Sequence, residues 1–364
     1  MGVAPPPSRH RLLTAEPRSR RLPLFIFLAG AAAVMVLFYV LLSLAPCSVG
    51  AARCHRGYQS AFSFDAELAR NPAWMGGLPD AANLTALSIP GTHDTMTYGV
   101  RGADVETLQC QNWNLSTQMA AGLRYFDIRA RLRDDELYIY HGSGFTGFSL
   151  ADVLADMFAF LDANPSEAIV MRLKEEAKPI GDRNTVTFEQ AFNRYRLSMP
   201  GAAAHIAVHD AAAPLPTLGA LRSKILLLQN FVAKDGGPYG LAWAGPQMAL
   251  EDKWIVPDVY HLADKWTAIR TALERASTAP LSDNSRLYLA HVSASVGVLP
   301  IVAAAGPINR SVTGMNDMTG QWLLDFVGNA DTTRTGIVIF DFPGQKAIEA
   351  VLAWNVKRLA ALGG

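Results

Sequence analysis

Seven residues, Ser88-Ile89-Pro90-Gly91-Thr92-His93-Asp94, close an apolar run that begins at Leu84 and end it in a titratable pair. The run Leu84–Ile89 has the length of a short buried strand, and Pro90-Gly91 marks where that strand is expected to break. An imidazole beside a carboxylate just past a strand end can take and return a proton near neutral pH. The bland alternative is a turn in which Thr92 or Asp94 caps the next segment. A second group of chemistry-bearing types is Phe126-Asp127-Ile128-Arg129. Asp127 and Arg129 are two apart, so on a strand their side chains point to one side. Within an apolar segment that side is the interior, where charges need partners. A mutual ion pair meets that need. So does an Arg aimed at an anion and steadied by acids, because the planar guanidinium donates in pairs to a phosphate.

The elements that must position these groups alternate along the chain. Strand-like runs are Leu84–Ile89, Tyr125–Leu132, Leu137–Tyr140, Ala168–Leu173, Lys224–Leu228, Arg286–His291 and Gly336–Asp341. Amphipathic helical stretches lie between them, at Leu150–Asp162, Phe188–Tyr195, Ala263–Ala276 and Thr319–Val327. Such alternation predicts an α/β domain with a mainly parallel sheet. One pair is expected to be antiparallel, with a hairpin turn at Arg133-Asp134-Asp135. Polar residues collect where the runs end: His93-Asp94, Asp127 and Arg129, His141-Gly142, Lys174-Glu175-Glu176, Gln229-Asn230, His291 and Asp341. Each alone reads as a helix cap or a satisfied polar group. A barrel gathers all these ends on one face, where its chemistry sits.

The chain has 364 residues, half of them hydrophobic, and a formal net charge of zero. Residues 1–21 hold five Arg and one Glu, leaving 27 basic and 31 acidic residues elsewhere, a formal −4. No Lys/Arg stripe points to nucleic acid. Residues 1–21 are predicted to form a disordered basic tail. Residues 22–45 carry no charge and are long enough for a transmembrane helix, and longer than the apolar core of a cleaved signal peptide. With Arg18, Arg20 and Arg21 before it, the positive-inside rule predicts a single-pass type II protein whose C-terminal bulk is lumenal or extracellular. Sequons at Asn83, Asn114 and Asn309 give weak support for glycosylation there. Residues 46–73 are expected to be a juxtamembrane linker with a short helix at Phe64–Arg70, and residues 74–364 the barrel domain. Of the three cysteines, 47, 54 and 110, none sits in a CxxC pair. A Cys54–Cys110 or a Cys47–Cys54 bridge is open on sequence.

The motifs Ser88–Asp94, Gly122-Leu123-Arg124-Tyr125-Phe126-Asp127-Ile128-Arg129 and Tyr140-His141-Gly142 resemble, in order and spacing, the X domain of phosphatidylinositol-specific phospholipase C. Similarity is strongest to the single-domain, calcium-independent bacterial type and runs from about Trp74 to the C-terminus. The resemblance implies a distorted TIM barrel and a phosphodiester cleavage that yields diacylglycerol and a cyclic inositol phosphate. It implies His93 as general base oriented by Asp341, His141 as general acid partnered by Asp94, and Arg129 as the cation on the phosphoryl oxygens, with neither metal nor cofactor. For the ring it implies Lys174, Asp252 and Trp254, the last standing where the family has a Tyr, with Asp127 beside them. A ring-binding Arg of the family corresponds here to Asn230, which places inositol specificity in question. The implied partner is an inositol phospholipid, free or glycosylated. Two other readings stand beside it: the same barrel with another phosphodiester, and a non-catalytic lipid- or glycan-binding module.

Overall fold

The computed structural model describes residues 1–4, 21–48, 54–210, 212–234, 237 and 239–362; in its first helix the described side chains are those of residues 25–40. Ten strands form the main sheet: β1 (Ser88–Thr92), β2 (Tyr125–Arg133), β3 (Glu136–His141), β4 (Gly144–Ser149), β5 (Ala168–Glu175), β6 (Lys224–Asn230), β7 (Leu241–Ala242), β8 (Met248–Glu251), β9 (Leu287–His291) and β10 (Gly336–Phe340). Eight of them pair in parallel in the order β8-β9-β10-β1-β2-β5-β6-β7. Among the described residues no ladder joins β7 to β8, so the sheet curls into a distorted TIM barrel open at that seam. The strands β3 and β4 fold back antiparallel on β2 as a flap. Asp134 and Asp135 both have positive φ, +52° and +63°, which is the backbone of a two-residue hairpin turn matched to strand twist.

The longer helices are α1 (Arg21–Ser48), α2 (Leu115–Ala121), α3 (Leu150–Ala163), α4 (Phe188–Ser198), α5 (Leu262–Thr278), α6 (Met315–Phe326) and α7 (Gln345–Leu362). Ser149 and Thr187 open α3 and α4 with reciprocal capping boxes.

Strand alternation divides the core into two layers. Leu87, Ile89, Tyr125, Val170, Leu226, Leu228, Leu289, Ile337 and Ile339 fill the barrel interior. Phe126, Ile128, Met171 and Leu173 face outward onto Val153 and Met157 of α3, and Val338 and Phe340 onto α6 and α7. Each fully buried side chain of this kind contributes about 1.5–3 kcal/mol. Continuing the interior phase toward each C-terminal end reaches His93, Asp127 then Arg129, Arg172 then Lys174, Asn230, Asp252, His291 and Asp341.

Three expectations are corrected. Leu84–Ala86 is a 3-10 turn, and β1 runs through Pro90-Gly91 instead of breaking there. Pro90 fits because its carbonyl, accepting from Arg124 N–H, faces β2, and the N–H it lacks would point to that edge before the ladder begins at Gly91. The short helix expected at Phe64–Arg70 is a single 3-10 turn, Ala66–Leu68, while Phe62, Phe64, Ala66 and Ala69 are buried against the barrel. Among the described residues no helix is long and apolar enough to cross a membrane. The segment expected to span one lies within α1, whose described side chains are fewer than the roughly 20 a span needs. Residues 5–20, expected as a disordered tail, lie outside the described residues, as does the Cys47 side chain. Cys54 is disulfide-bonded and Cys110 is free and buried, so the Cys54–Cys110 bridge does not form.

Gly91 tests how tightly β1 meets β2. A Cβ there would lie 2.5 Å from Tyr125 Cβ and 2.9 Å from its carbonyl oxygen. Gly91→Ala is expected to lower stability by about 1–3 kcal/mol, read as the urea midpoint. Gly328→Ala, with open space around it, should stay within about 0.5 kcal/mol. Equal midpoints for the two variants would show that the approach is not tight.

Candidate active site

Two loops and one flap converge on the barrel mouth. His93 leaves β1 with its N–H bonded to Phe340 O at 3.0 Å. Gln111 holds the same junction, donating from Nε2 to His93 O (2.8 Å) and Phe340 O (3.0 Å). Asp94 then takes φ +41°, a left-handed conformation that Asp tolerates, and this turns its carboxylate back into the mouth. The flap returns His141 to the same place from β3.

His93 Nδ1 lies 2.9 Å from Asp341 Oδ1, which fixes Nδ1–H as the donor and leaves Nε2 as the basic atom. Arg129 NH2 donates to that Nε2 at 2.7 Å. Burial, then the Arg129 charge, holds the imidazole well below its ordinary pKa, so it rests neutral. Burial and the nearby Asp94 push Asp341 the other way, well above the usual carboxylate range. Protonation at Nε2 would create charge that faces Asp341 on the Nδ1 side of the ring.

His141 Nδ1 donates to Leu108 O at 2.7 Å, which leaves Nε2 to carry the exchangeable proton into the mouth. Its carboxylate contact is therefore not behind the ring. Asp94 Oδ2 lies 3.3 Å from His141 Nε2 and 3.2 Å from His93 Nε2, between the two working nitrogens. Asp94 reaches both imidazoles because the αL turn there aims its carboxylate across the mouth. Burial raises the Asp94 pKa to about 6 against the opposing pull of Arg129 and His141. The two imidazole rings stand 6.3 Å apart between centroids, nearly perpendicular.

Arg129 is the centre of charge. Its Nε and NH2 donate to Asp127 Oδ2 at 3.0 and 2.9 Å, its Nε is 3.1 Å from Asp94 Oδ1, and its NH1 is 3.8 Å from Glu176 Oε1. Burial opposes its charge, but Asp127, Asp94 and Glu176 outweigh burial and raise its pKa further. In return, Arg129 and Arg172 carry buried Asp127 well below the ordinary range. Glu176 is likewise lowered, Arg129 and Lys174 outweighing burial.

A cavity of about 320 Å³ opens over this network, lined among others by His93, Arg129, His141, Lys174, Asp252 and Trp254. Asp94, Asp127 and Asp341 lie beneath it as partners of its lining residues. All nine side chains singled out on sequence thus meet in one place.

The sequence profile of the phosphatidylinositol-specific phospholipase C X domain matches residues 87–231. The 1-phosphatidylinositol phosphodiesterase of Listeria monocytogenes is 34% identical over 296 residues, covering 78% of this chain and 84% of the relative. The chain belongs to the phosphatidylinositol-specific phospholipase C X-domain family. The Staphylococcus aureus 1-phosphatidylinositol phosphodiesterase is 28% identical over 310 residues, 79% of this chain and 93% of that protein. The solved Listeria monocytogenes phosphatidylinositol-specific phospholipase C superimposes with a TM-score of 0.65 at 30% identity, over 79% of this chain and 99% of that one.

Seen as a phospholipase C X-domain site, the cavity holds several groups that the motifs alone do not reveal. Glu176 joins Lys174 Nζ (2.6 Å) to Gly142 N–H (2.9 Å), tying β5 to the flap that carries His141. Arg172 lines the cavity, its guanidinium stacked 3.9 Å above the ring centre of Trp243. His291 bonds Glu251 O through Nδ1 at 3.0 Å, and its Nε2 has no partner among the described residues. Strand alternation marks Arg172, since it shares the phase of Lys174; nothing local in the sequence marks Gln111, Trp243 or the Leu108 carbonyl. Among the described residues three groups, His93-Cys110-Asp341, Asp94-Cys110-His141 and His93-Asp94-Asp127, bring metal-type ligand atoms within 4.8 Å of one another. They fit a cation poorly, because the Arg129 guanidinium already contacts His93 and Asp94.

Removing that guanidinium should leave buried Asp94 without its cation and Asp127 with only the longer contact to Arg172. Arg129→Met is expected to cost about 3–5 kcal/mol at pH 7.5. Stranded carboxylates have folded pKa values above their unfolded ones, so the native state binds more protons, and stability should recover as pH falls from 7.5 to 5. Urea melts at the two pH values check this; a deficit that does not shrink on acidification would show that Arg129 is not neutralising them.

Proposed function

We propose that this chain cleaves the phosphodiester of phosphatidylinositol, free or glycosylated, with His93 as general base and His141 as general acid. The observation that carries the reading is the pair of Nε2 atoms facing one cavity across the Asp94–Arg129 ion pair. In-line displacement needs a base and an acid on opposite sides of phosphorus. His93 Nε2, given up by Arg129 when substrate enters, removes the proton of the inositol 2-hydroxyl. The oxygen attacks phosphorus and closes a five-membered cyclic phosphate. His141 delivers its Nε2 proton to the departing diacylglycerol oxygen, and Asp94 holds that proton in place beforehand. Arg129, freed from His93 Nε2, donates to the phosphoryl oxygens as charge develops, the role a divalent cation would otherwise fill. Asp341 balances the His93 imidazolium. Lys174, Asp252 and Trp254 border the ring.

As to placement, we propose that residues 22–45 anchor the protein as a single-pass type II segment with the barrel lumenal or extracellular. The uncharged stretch and the basic residues before it support this, as does exposure of Asn309 for glycosylation. A barrel so placed meets outer-leaflet lipids. Asn114 is the less apt acceptor, since its Oδ1 already caps α2 at Thr117 N–H.

The full chain incubated with phosphatidylinositol vesicles and excess chelator should release inositol 1,2-cyclic phosphate, detected by phosphorus NMR. His93→Ala and His141→Ala should each lose at least about a hundredfold. Because His93 sits well below 6.5, turnover should hold as pH falls through 6.5 and decline only below it. Calcium dependence would overturn the role given to Arg129. Binding without any turnover would favour a non-catalytic module.

A further inference from the structure

Arg172 enters the cavity from β5, two residues before Lys174 and in the same interior phase, and is 5% exposed. Its Nε and NH2 donate to Asn230 Oδ1 at 3.0 and 2.6 Å, and its NH1 lies 3.5 Å from both Asp127 oxygens. The flat face lies on Trp243. A guanidinium has five N–H donors, and these contacts occupy three. Its other contacts leave its charge weakly compensated. Asn230 is a neutral acceptor, and the Asp127 carboxylate is shared with Arg129, which takes the shorter bonds to Oδ2. A buried cation in that condition is costly unless something else in its cavity accepts from it.

We infer that Arg172, clamped by Asn230 and Trp243, is the residue that reads the polyol ring of the substrate. It presents its free N–H fork to a pair of adjacent ring oxygens. Asn230 sits opposite Lys174 in the β5–β6 register, and Arg172 opposite Leu228. The guanidinium therefore arrives at the wall of Asn230 from the neighbouring strand, and Asn230 orients it instead of leaving the wall without an Arg. Asp127 lies between the two cations, its Oδ2 accepting from Arg129 at 2.9 and 3.0 Å and from Arg172 at 3.5 Å, so one carboxylate sets the distance from the phosphoryl cation to the ring cation. Trp243 holds the plane of the fork and covers its back face. A Lys at position 172 would supply charge without the fork. The inference rests on the function proposed above, since it assigns the ring side of that same site.

The test uses the full chain, with calorimetric titration of myo-inositol beside turnover of phosphatidylinositol in mixed micelles. Arg172→Gln is expected to weaken myo-inositol binding and raise KM in parallel, each by roughly ten- to a hundredfold, with a smaller fall in kcat. Arg172→Lys should recover little. Asn230→Ala should fall between the wild type and Arg172→Gln. The exchange Arg172→Asn with Asn230→Arg should regain at least about tenfold over Arg172→Gln, because the fork returns from the adjacent strand. Folded Arg172→Gln that binds myo-inositol as well as the wild type would overturn the inference. So would losses confined to kcat and melting temperature with KM unmoved, which is the mark of a merely structural residue. A wild type that binds myo-inositol through Arg172 yet cleaves no phosphatidylinositol would uphold the ring assignment and defeat the proposed function. A wild type that binds no myo-inositol would defeat the ring assignment even if turnover is found.

Discussion

A guanidinium buried at the mouth of a barrel must be neutralised, and meeting that demand arranges the rest of the site. Arg129 collects Asp127 from its own strand, Asp94 from the loop after β1 and Glu176 from the end of β5. Each contact pins a different element at the mouth. Asp94, held by Arg129, is placed between the two imidazoles; Glu176, held by Arg129 and Lys174, secures the turn after His141. The acids in turn carry a desolvation penalty that the cation offsets, so no member is stable in place without the others. The same contacts keep the base at rest: Arg129 caps the His93 lone pair.

The barrel supplies the rigid frame for this arrangement. Its interior is packed with Leu, Ile and Val up to the last turn of each strand, and then the same phase of alternation changes from apolar to charged. Wet chemistry is thereby stacked directly on a dry core. His141 arrives differently, on an antiparallel flap whose tight turn at Asp134-Asp135 reverses the chain. The flap delivers the second imidazole opposite the first, a position no strand of the parallel sheet occupies.

Much of the architecture was legible in the chain itself. Seven of the ten strands are marked by apolar runs, and the hairpin by Arg133-Asp134-Asp135. The elements that were missed have identifiable physical causes. Leu241–Ala242 is two residues long, too short to show a period. Gly144–Ser149 is half exposed and rich in Gly, Ser and Thr, so its alternation is weak. Pro90-Gly91 reads as a strand break because propensity weighs the missing N–H, whereas in the sheet that N–H would meet no partner. The 3-10 turn at Ala66–Leu68 is a case in which tertiary packing of Phe62 and Phe64 against the barrel outweighed local helix propensity.

The sequence by itself determined which residue types face inward, because strand alternation is a local covalent property. Through that and its motifs it determined the family, the barrel and the nine side chains that meet at the mouth. Only the tertiary structure decided how those side chains share protons and charge. The resemblance set Asp341 behind His93, and packing across 248 positions brings its Oδ1 within 2.9 Å of Nδ1. Asp94 faces both imidazoles because one residue in a left-handed conformation turned it across the mouth. Asn230, which on sequence left the ring wall without its Arg, acquired meaning only when β5 was set beside β6 and brought Arg172 to it. Such relations depend on distances between elements far apart in the chain, and those distances are set by packing.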